Sequence, residues 1–489
     1  MNKNILHISF FLSVIICFYN NNARAQRVLT LEQVISLAQQ LSPAARIALA
    51  NKNSKRWAYI GYKSNLLPQL SINSTAPDFN RSISSITQPD GTLAFRAQSL
   101  SNYSMGLTIS QNIWPTNSQF YVSSNLQRLD VFNQNATSTN YLANPAILGI
   151  RQPLFAFNQL KWDKRIQPLL YKESLRLYYE ELENVSLQAS QQFFSLLLAQ
   201  MNLDIAKRNV ANNDTLFKIS KGRYNLGKIA ENELLQMELN MMNASNSYNQ
   251  ALIDLQQYTF ELKRFLNIQD TGDINLLVPE LLPKFEVNEQ LALQYAQKNR
   301  QKVIEFERQR LEAAREVERA RRNARFSGNI SASYGLTQSQ PILNDVFSNP
   351  QDQQRASLSF NMPIIDWGNA KSQIKQAKAA QEIAELQVEQ SQQNFEQEIL
   401  LLVKQIKLTR EKLMIAYKSD TIGQKRYDIA IKRYLIGKIG ITDLNIAQQE
   451  KDNSRQNFVS ALRGFWTAYF DLRRKTLYDF EKGADLLKQ

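Results

Sequence analysis

Two periodicities organise this chain. Over residues 158–224 and 369–434 apolar side chains recur at spacings of three and four, as in Ile383 and Leu386 and in Ile399, Val403 and Ile406, and Pro168 is the only proline in either stretch. That spacing is one face of an amphipathic helix. At 1.5 Å per residue each stretch would extend roughly 90 to 100 Å, too long to stand alone, so the apolar stripes must pack against one another as in a coiled coil. The second period is two. In Asn329-Ile330-Ser331-Ala332-Ser333-Tyr334, Ala356-Ser357-Leu358-Ser359-Phe360-Asn361-Met362 and Tyr103-Ser104-Met105-Gly106-Leu107-Thr108-Ile109-Ser110, apolar residues alternate with small or polar ones. Strands of this kind present one apolar face and one Ser/Asn face. They suit a half-buried sheet in a soluble protein, or a barrel wall with lipid outside and water inside.

The whole pattern occurs twice. Arg223-Tyr224-Asn225-Leu226-Gly227-Lys228-Ile229 returns 210 positions later as Arg433-Tyr434-Leu435-Ile436-Gly437-Lys438-Ile439, and the same shift superposes Pro153 on Pro363, Lys161 on Lys371, Leu234 on Leu444 and Asn243 on Asn453. Nearer the N-terminus the shift is 258, from Ala38 to Ala296 and from Ile72 to Ile330, so the first copy holds 48 additional residues (258 minus 210) between Ile72 and Ile150. Each copy reads helix, strand, strand, long helix, turn, long helix. The additional residues contain two alternating stretches, 101–113 and 118–126, around Trp114-Pro115-Thr116-Asn117, which predicts an extra hairpin. This hairpin either lengthens the outer loops or folds inward. The expected domains are a signal peptide over 1–25, a first repeat over 26–270 with the inserted hairpin at about 76–145, a linker over 271–286, a second repeat over 287–475 and a tail over 476–489.

The signal peptide is read from Lys3, the apolar run Ile5 to Tyr19, and Ala23-Arg24-Ala25 as the cleavage site. Lipoprotein processing at Cys17 is the alternative, but Ile15, Ile16 and Phe18 lack the small side chains it prefers. Cleavage after Ala25 removes the only cysteine, Cys17, and the only histidine, His7. Thiol catalysis, disulfides, zinc or copper sites built on those residues, and a Ser/His/Asp arrangement are then excluded. The sequence carries no nucleotide-binding glycine motif, and no carboxylate pair stands out as a hydrolase site, so no cofactor, metal or enzymatic activity is expected. With 58 Lys+Arg against 44 Asp+Glu the formal net charge is +14, which raises nucleic acid as a partner. The charges are interleaved along helical stretches such as Glu305 to Arg325, however, so no nucleic acid is expected. Only 15 glycines and 13 prolines in 489 residues fit long, uninterrupted helices.

Gln152-Pro153-Leu154-Phe155 and Met362-Pro363-Ile364-Ile365-Asp366-Trp367-Gly368 each open a long helix, Tyr-x-x-Gly closes it, and Leu31-Glu32-Gln33-Val34-Ile35-Ser36-Leu37-Ala38 with Ser42-Pro43 forms a first helix. In their order and duplication these segments resemble the TolC family of outer-membrane efflux proteins, over nearly the whole chain after the signal. The resemblance implies a mainly α fold with membrane β structure. Long antiparallel helical hairpins would form an α-barrel, continued by a transmembrane β-barrel shared between the subunits of a homotrimer, with four strands per chain and twelve in all. It implies a place in the cell outer membrane, in contact with outer-membrane lipid, with the helical part in the periplasm. It also implies docking to a periplasmic adaptor (membrane fusion) protein, and through it to an inner-membrane pump, in a tripartite efflux or type I secretion system.

By the same resemblance Tyr224, Gly227, Lys228, Tyr434, Gly437 and Lys438 map to adaptor-docking tips. A helix reversing direction needs a left-handed residue in any case, and a C-cap role alone explains the glycines. Asp443 matches the first of the acidic positions that narrow the tunnel entrance in some family members, while Ile446 stands where a second acid would be; the alternative is that Thr442 or Asp443 caps the next helix. Phe155, Phe157, Trp162 and Trp367 either mark the membrane interface or anchor helix packing. Arg319, Arg321, Arg322 and Arg325 meet lipid phosphates, line the tunnel mouth, or form a solvated helix face. The expected function is passive conduction of substrates from the adaptor and pump to the exterior. The competing expectation is a periplasmic coiled-coil adaptor or scaffold without a barrel of its own.

Overall fold

The structure, a computed structural model, describes residues 27–132, 137–269, 272–279 and 283–487; the expected signal segment 1–25, with His7 and Cys17, lies outside them. In chain order the elements are β1 (Arg27–Leu29), α1 (Leu31–Leu41), α2 (Pro43–Ser64), β2 (Gln69–Thr87), β3 (Leu93–Ile113), β4 (Ser118–Phe132), β5 (Thr137–Leu154), α3 (Gln159–Asn225), α4 (Glu231–Leu266), β6 (Ile274–Leu276), α5 (Glu289–Asn299), α6 (Gln301–Asn323), β7 (Ser327–Gln340), β8 (Gln351–Asn361), α7 (Asn369–Leu435), α8 (Ile441–Thr476), β9 (Tyr478–Asp479) and β10 (Ala484–Asp485). The duplication is visible in these bounds. Helices α3 and α7 both have 67 residues and α4 and α8 both have 36, and each pair starts and ends at positions 210 apart. Helices α1 and α5, of 11 residues each, lie 258 apart.

The chain forms two compact units. One takes the described residues up to Lys52, of Leu175–Arg300 and from Asn394 onward. Here α1 starts on a capping box, the Thr30 hydroxyl accepting from the Gln33 N–H at 3.3 Å and the Gln33 side chain accepting from the Thr30 N–H at 3.0 Å. The core is a helical seam in which Phe193, Phe194, Leu196, Leu262, Leu266, Phe465, Leu462 and Leu472 are fully buried. Helices α4 and α8 end on residues in the left-handed region, Asn267 and Leu477, at equivalent positions of the two copies. A polar clasp holds the C-terminal tail. Arg473 makes a two-pronged contact with Glu183 at 3.0 and 3.1 Å and reaches Asp479 at 3.2 Å. Burial pushes the Glu183 carboxyl above its ordinary range, against the pull of Arg473. Asp485 accepts from Lys298 at 2.8 Å and from Asn299 at 2.9 Å, and the Lys298 ammonium holds its carboxyl below the usual range.

The other unit takes Asn53–Ser174 and Gln301–Gln393. It contains one antiparallel sheet with strand order β2-β3-β4-β5-β7-β8. Six strands stand where the family resemblance implied four. The difference arises in the first copy, where the alternating stretches 101–113 and 118–126 belong to β3 and β4, paired without a break from Ile113↔Ser118 to Leu100↔Val131. Beside the sheet, α6 is tied to the start of α3: Arg308 meets Glu173 at 2.7 Å and Arg319 donates to Gln159 at 2.6 Å. Among the described residues no helix is long and apolar enough to cross a membrane.

Candidate functional site

The register of the sheet sorts its side chains into two faces, because successive residues of a strand point to opposite sides. One paired row runs Leu70, Ile109, Val122, Leu148, Tyr334, Gln354, and the neighbouring row on the same face runs Gln111, Phe120, Ile150, Ala332, Ala356. Leu70, Ile109, Phe120, Val122, Leu148 and Tyr334 are all exposed. The intervening rows read Gln69, Ser110, Tyr121, Gly149, Ser333, Arg355 and Asn112, Gln119, Arg151, Ser331, Ser357. The sheet is therefore mainly apolar on one side, with Gln111 and Gln354 toward its ends, and hydrogen-bonding on the other. On the polar side the Tyr121 ring lies over Gly149, where a Cβ would collide with it, and Arg151 stacks on the same ring at 5.1 Å. Further along the apolar side Tyr103, Arg128 and Tyr141 form one row, with the guanidinium 5.6 and 6.0 Å from the two ring centres.

At the end of the sheet that joins the helices, the turn between β3 and β4 is fastened to the start of α3. The Asn158 amide donates to the Trp114 and Pro115 carbonyls at 2.9 and 3.2 Å, Gln152 donates to the Thr116 carbonyl at 2.9 Å, and the Lys164 ammonium sits 3.3 Å from the Trp114 ring centre. The four aromatics singled out from the sequence divide here. Phe155 packs on Phe326 at 4.7 Å, Arg319 stacks on Phe157 at 4.9 Å and Arg165 stacks on Trp162 at 5.2 Å, whereas Trp367 is 94% exposed. Of the arginines, Arg319 pairs with Glu316 and Arg322 with Glu318 along their own helix. Arg321 and Arg322 also line a groove of 680 Å³ with Lys161, Trp162, Arg165 and Glu318.

The Tyr-x-x-Gly segments end α3 and α7 in the same way. Gly227 and Gly437 have φ of 67° and 72°, and the N–H groups of each glycine and the following lysine donate back to the Tyr and Arg carbonyls (Gly227 to Tyr224 and Lys228 to Arg223; Gly437 to Tyr434 and Lys438 to Arg433) at 2.8 to 2.9 Å. This is a Schellman turn, and glycine enters it without strain. Around the turns the copies differ. Tyr434 is 4% exposed, packed with Leu216, Met237, Ile441 and Leu444, while Tyr224 is 39% exposed. The two turns are fastened to each other by Arg223, which donates to the Leu435 carbonyl at 2.8 Å and stacks on Tyr434 at 5.3 Å. Gly227, Lys228, Gly437 and Lys438 are exposed.

Asp443 does not cap α8, and neither does Thr442. The N-cap is Gly440, with no side-chain hydrogen bond, and Asp443 stands exposed in the first turn. The reason is that α8 starts at the position equivalent to the start of α4, set by the turn before it, one residue ahead of Thr442. Asp443 lies in a groove of 610 Å³ with Lys425, Arg426, Arg433 and the apolar Ile422 and Ile446. Among the described residues no cluster of His, Cys, Asp and Glu could hold a metal ion.

Residues 292–475 match the family described as Outer membrane efflux protein. No curated protein matches the sequence significantly. Among solved structures, 93% of the chain aligns with 87% of the Campylobacter jejuni CmeC outer membrane channel at a TM-score of 0.67 and 18% identity. It aligns over 94% with 92% of a Pseudomonas aeruginosa membrane protein at 0.67 and 15%, and over 91% with 95% of the Vibrio cholerae outer membrane protein VceC at 0.63 and 13%. At such identities the likeness is one of fold, and it extends over nearly the whole chain. The resemblance to the TolC family read from the sequence therefore holds for the second-copy domain and for the fold.

Proposed function

We propose that the protein is an outer-membrane channel subunit that works as a homotrimer and conducts substrates passively through a periplasmic helical duct and a β-barrel shared between the copies. The observation that carries this reading is the sheet: one contiguous apolar face, one polar face and two unpaired edges, in a chain with the fold of outer-membrane channels. An exposed face bearing Leu70, Ile72, Ile109, Val122, Leu148, Leu358 and Phe360 is costly in water. Each such side chain gains about 1.5–3 kcal/mol on leaving it, and hydrocarbon supplies the apolar medium while the Ser, Asn, Gln and Arg face lines a wet bore. A soluble coiled-coil scaffold has no use for such a face, which disfavours the competing expectation.

In this reading the exposed tip residues Tyr224, Gly227, Lys228, Gly437 and Lys438 meet a periplasmic adaptor fed by an inner-membrane pump, with the buried Tyr434 supporting the turns from beneath. Asp443 forms a ring of carboxylates at the tunnel entrance, and Trp367 sits at the lipid boundary. Cell fractionation tests the proposal. The expected result is extraction by detergent from the outer membrane as a heat-modifiable trimer; recovery as a soluble periplasmic protein overturns it.

A further inference from the structure

The strand count has a consequence for how copies join. Strands β2 and β8 are each hydrogen-bonded on one side only, and they are not bonded to each other. All eleven residues of β8 are exposed, as are Ile364, Ile365 and Trp367 beyond it. Open edges are templates for further pairing, and inside hydrocarbon every backbone N–H and C=O must be satisfied. Six strands are too few to curl around a bore of their own. Each neighbouring pair in the sheet is antiparallel, so in an even-numbered set the first and last strands run in opposite directions. The free edge of β8 can therefore take the free edge of β2 from a second copy in the same antiparallel pattern. The faces also continue across such a seam, with Leu358 and Phe360 beside Leu70 and Ile72, and Ser357 and Ser359 beside Gln69 and Ser71.

Nor are β3 and β4 an appendage. Both lie in the interior of the sheet, carry Ile109 and Val122 in the same apolar row as Leu70 and Leu148, and have their turn fastened to the start of α3. In the sheet β2 is bonded to β3 alone. We infer that β8 of one copy pairs with β2 of the next and that all six strands of each chain form the wall, so that three copies close a barrel of eighteen strands (three times six), not the twelve that the family resemblance implied. The inference rests on the trimeric channel reading. Because barrel diameter grows roughly linearly with strand number, the wall is about 1.5-fold wider than a twelve-stranded one. The outer mouth accordingly accepts bulkier cargo than twelve strands would.

Two measurements on the full chain test it. Purified protein in lipid nanodiscs is imaged by electron cryomicroscopy and the strands are counted. Cysteine pairs that combine Ser71→Cys with Ser357→Cys or Ser359→Cys are oxidised in membranes and resolved on denaturing gels. Three copies in an eighteen-stranded wall, with at least one pair joining copies into covalent dimers and trimers, is the expected result. Three copies in a twelve-stranded wall, with β3 and β4 outside it, overturns the inference and leaves the channel reading standing. Two copies, or no closed barrel, overturns both. Disulfides that form only within single chains, giving shifted monomers, also sink the seam.

Discussion

At the tips, backbone strain and surface chemistry can be separated by choice of substituent. Gly227 and Gly437 hold φ of 67° and 72°, and a Cβ added at either meets nothing within 4 Å. A substitution there therefore costs only the left-handed backbone, about 1–2 kcal/mol for an ordinary L residue and less for Asn, whose side chain tolerates that region. The Schellman hydrogen bonds survive, since they are made by the backbone. Against the packing of the hairpins beneath, a cost of that size should not dissolve the assembly. Gly437→Asn is expected to insert, assemble and export like the parent. Gly437→Trp is expected to assemble equally well but to lose export, because its ring stands in the open space where the adaptor is proposed to sit. The assays are the heat-modifiable oligomer in outer-membrane fractions, survival on a panel of toxic dyes in cells lacking the parent gene, and co-purification of the adaptor. Loss of the oligomer in Gly437→Trp would refute the strain estimate. Export equal to the parent in both variants would refute docking at this turn, and equal loss in both would show that glycine serves something other than its backbone freedom.

Three further outcomes follow from the helical unit. Arg473→Met leaves Glu183 and Asp479, 7% and 3% exposed in their side chains, without their cation, and should cost about 3–5 kcal/mol; Glu183→Gln keeps the Arg473–Asp479 pair and should cost clearly less, so indistinguishable thermal melts of the two variants would defeat this account. Asp485 has its carboxyl held low first by the Lys298 hydrogen bond and then by Asn299, so its contribution is present above the ordinary carboxylate range and is lost as pH falls through the depressed value. Hydrogen-exchange protection factors at 478–486, taken relative to the intrinsic amide rate at each pH, should fall in acid and hold steady from pH 6 to 8, about two to four units above the ordinary Asp value, and Lys298→Met should remove most of the acid sensitivity; protection factors that stay flat down into acid argue against the clasp. Asp443→Asn should relieve cation block in planar-bilayer conductance, with a stability loss no greater than the roughly 0.3–1 kcal/mol of a charge at a helix N-terminus; unchanged block and selectivity would remove Asp443 from the entrance.

The helices were legible because their signal is local and repeated. The spacing over 158–224 and 369–434 falls within one residue of α3 and α7 at either end, since nothing but Pro168 interrupts it. Strand β2 was nearly invisible beyond Ile72. Its alternation breaks where the register shifts between Thr75 and Asp78, and its outer half carries Asn, Asp and Arg. The full strand set, and with it the count of six, depends on pairing partners far away in the chain. Tyr224 and Tyr434 sit in nearly identical heptapeptides, yet one is exposed and the other buried, because burial is decided by which hairpin lies over which. The Tyr103–Arg128–Tyr141 row was likewise missed. Its residues are separated by loops, and only the alternation around Tyr103 pointed to that face.

The contact from Arg223 to the Leu435 carbonyl ties the lengths of the two hairpins together. One residue inserted into α3 alone would advance its tip by about 1.5 Å and rotate it by about 100°, carrying Arg223 off Tyr434 and turning its guanidinium away. The hairpins behave like two legs of one stool: either can change length only if the other changes with it. Insertions are therefore free to accumulate among the strands, as they have in the first copy, but confined to matched pairs in the helices.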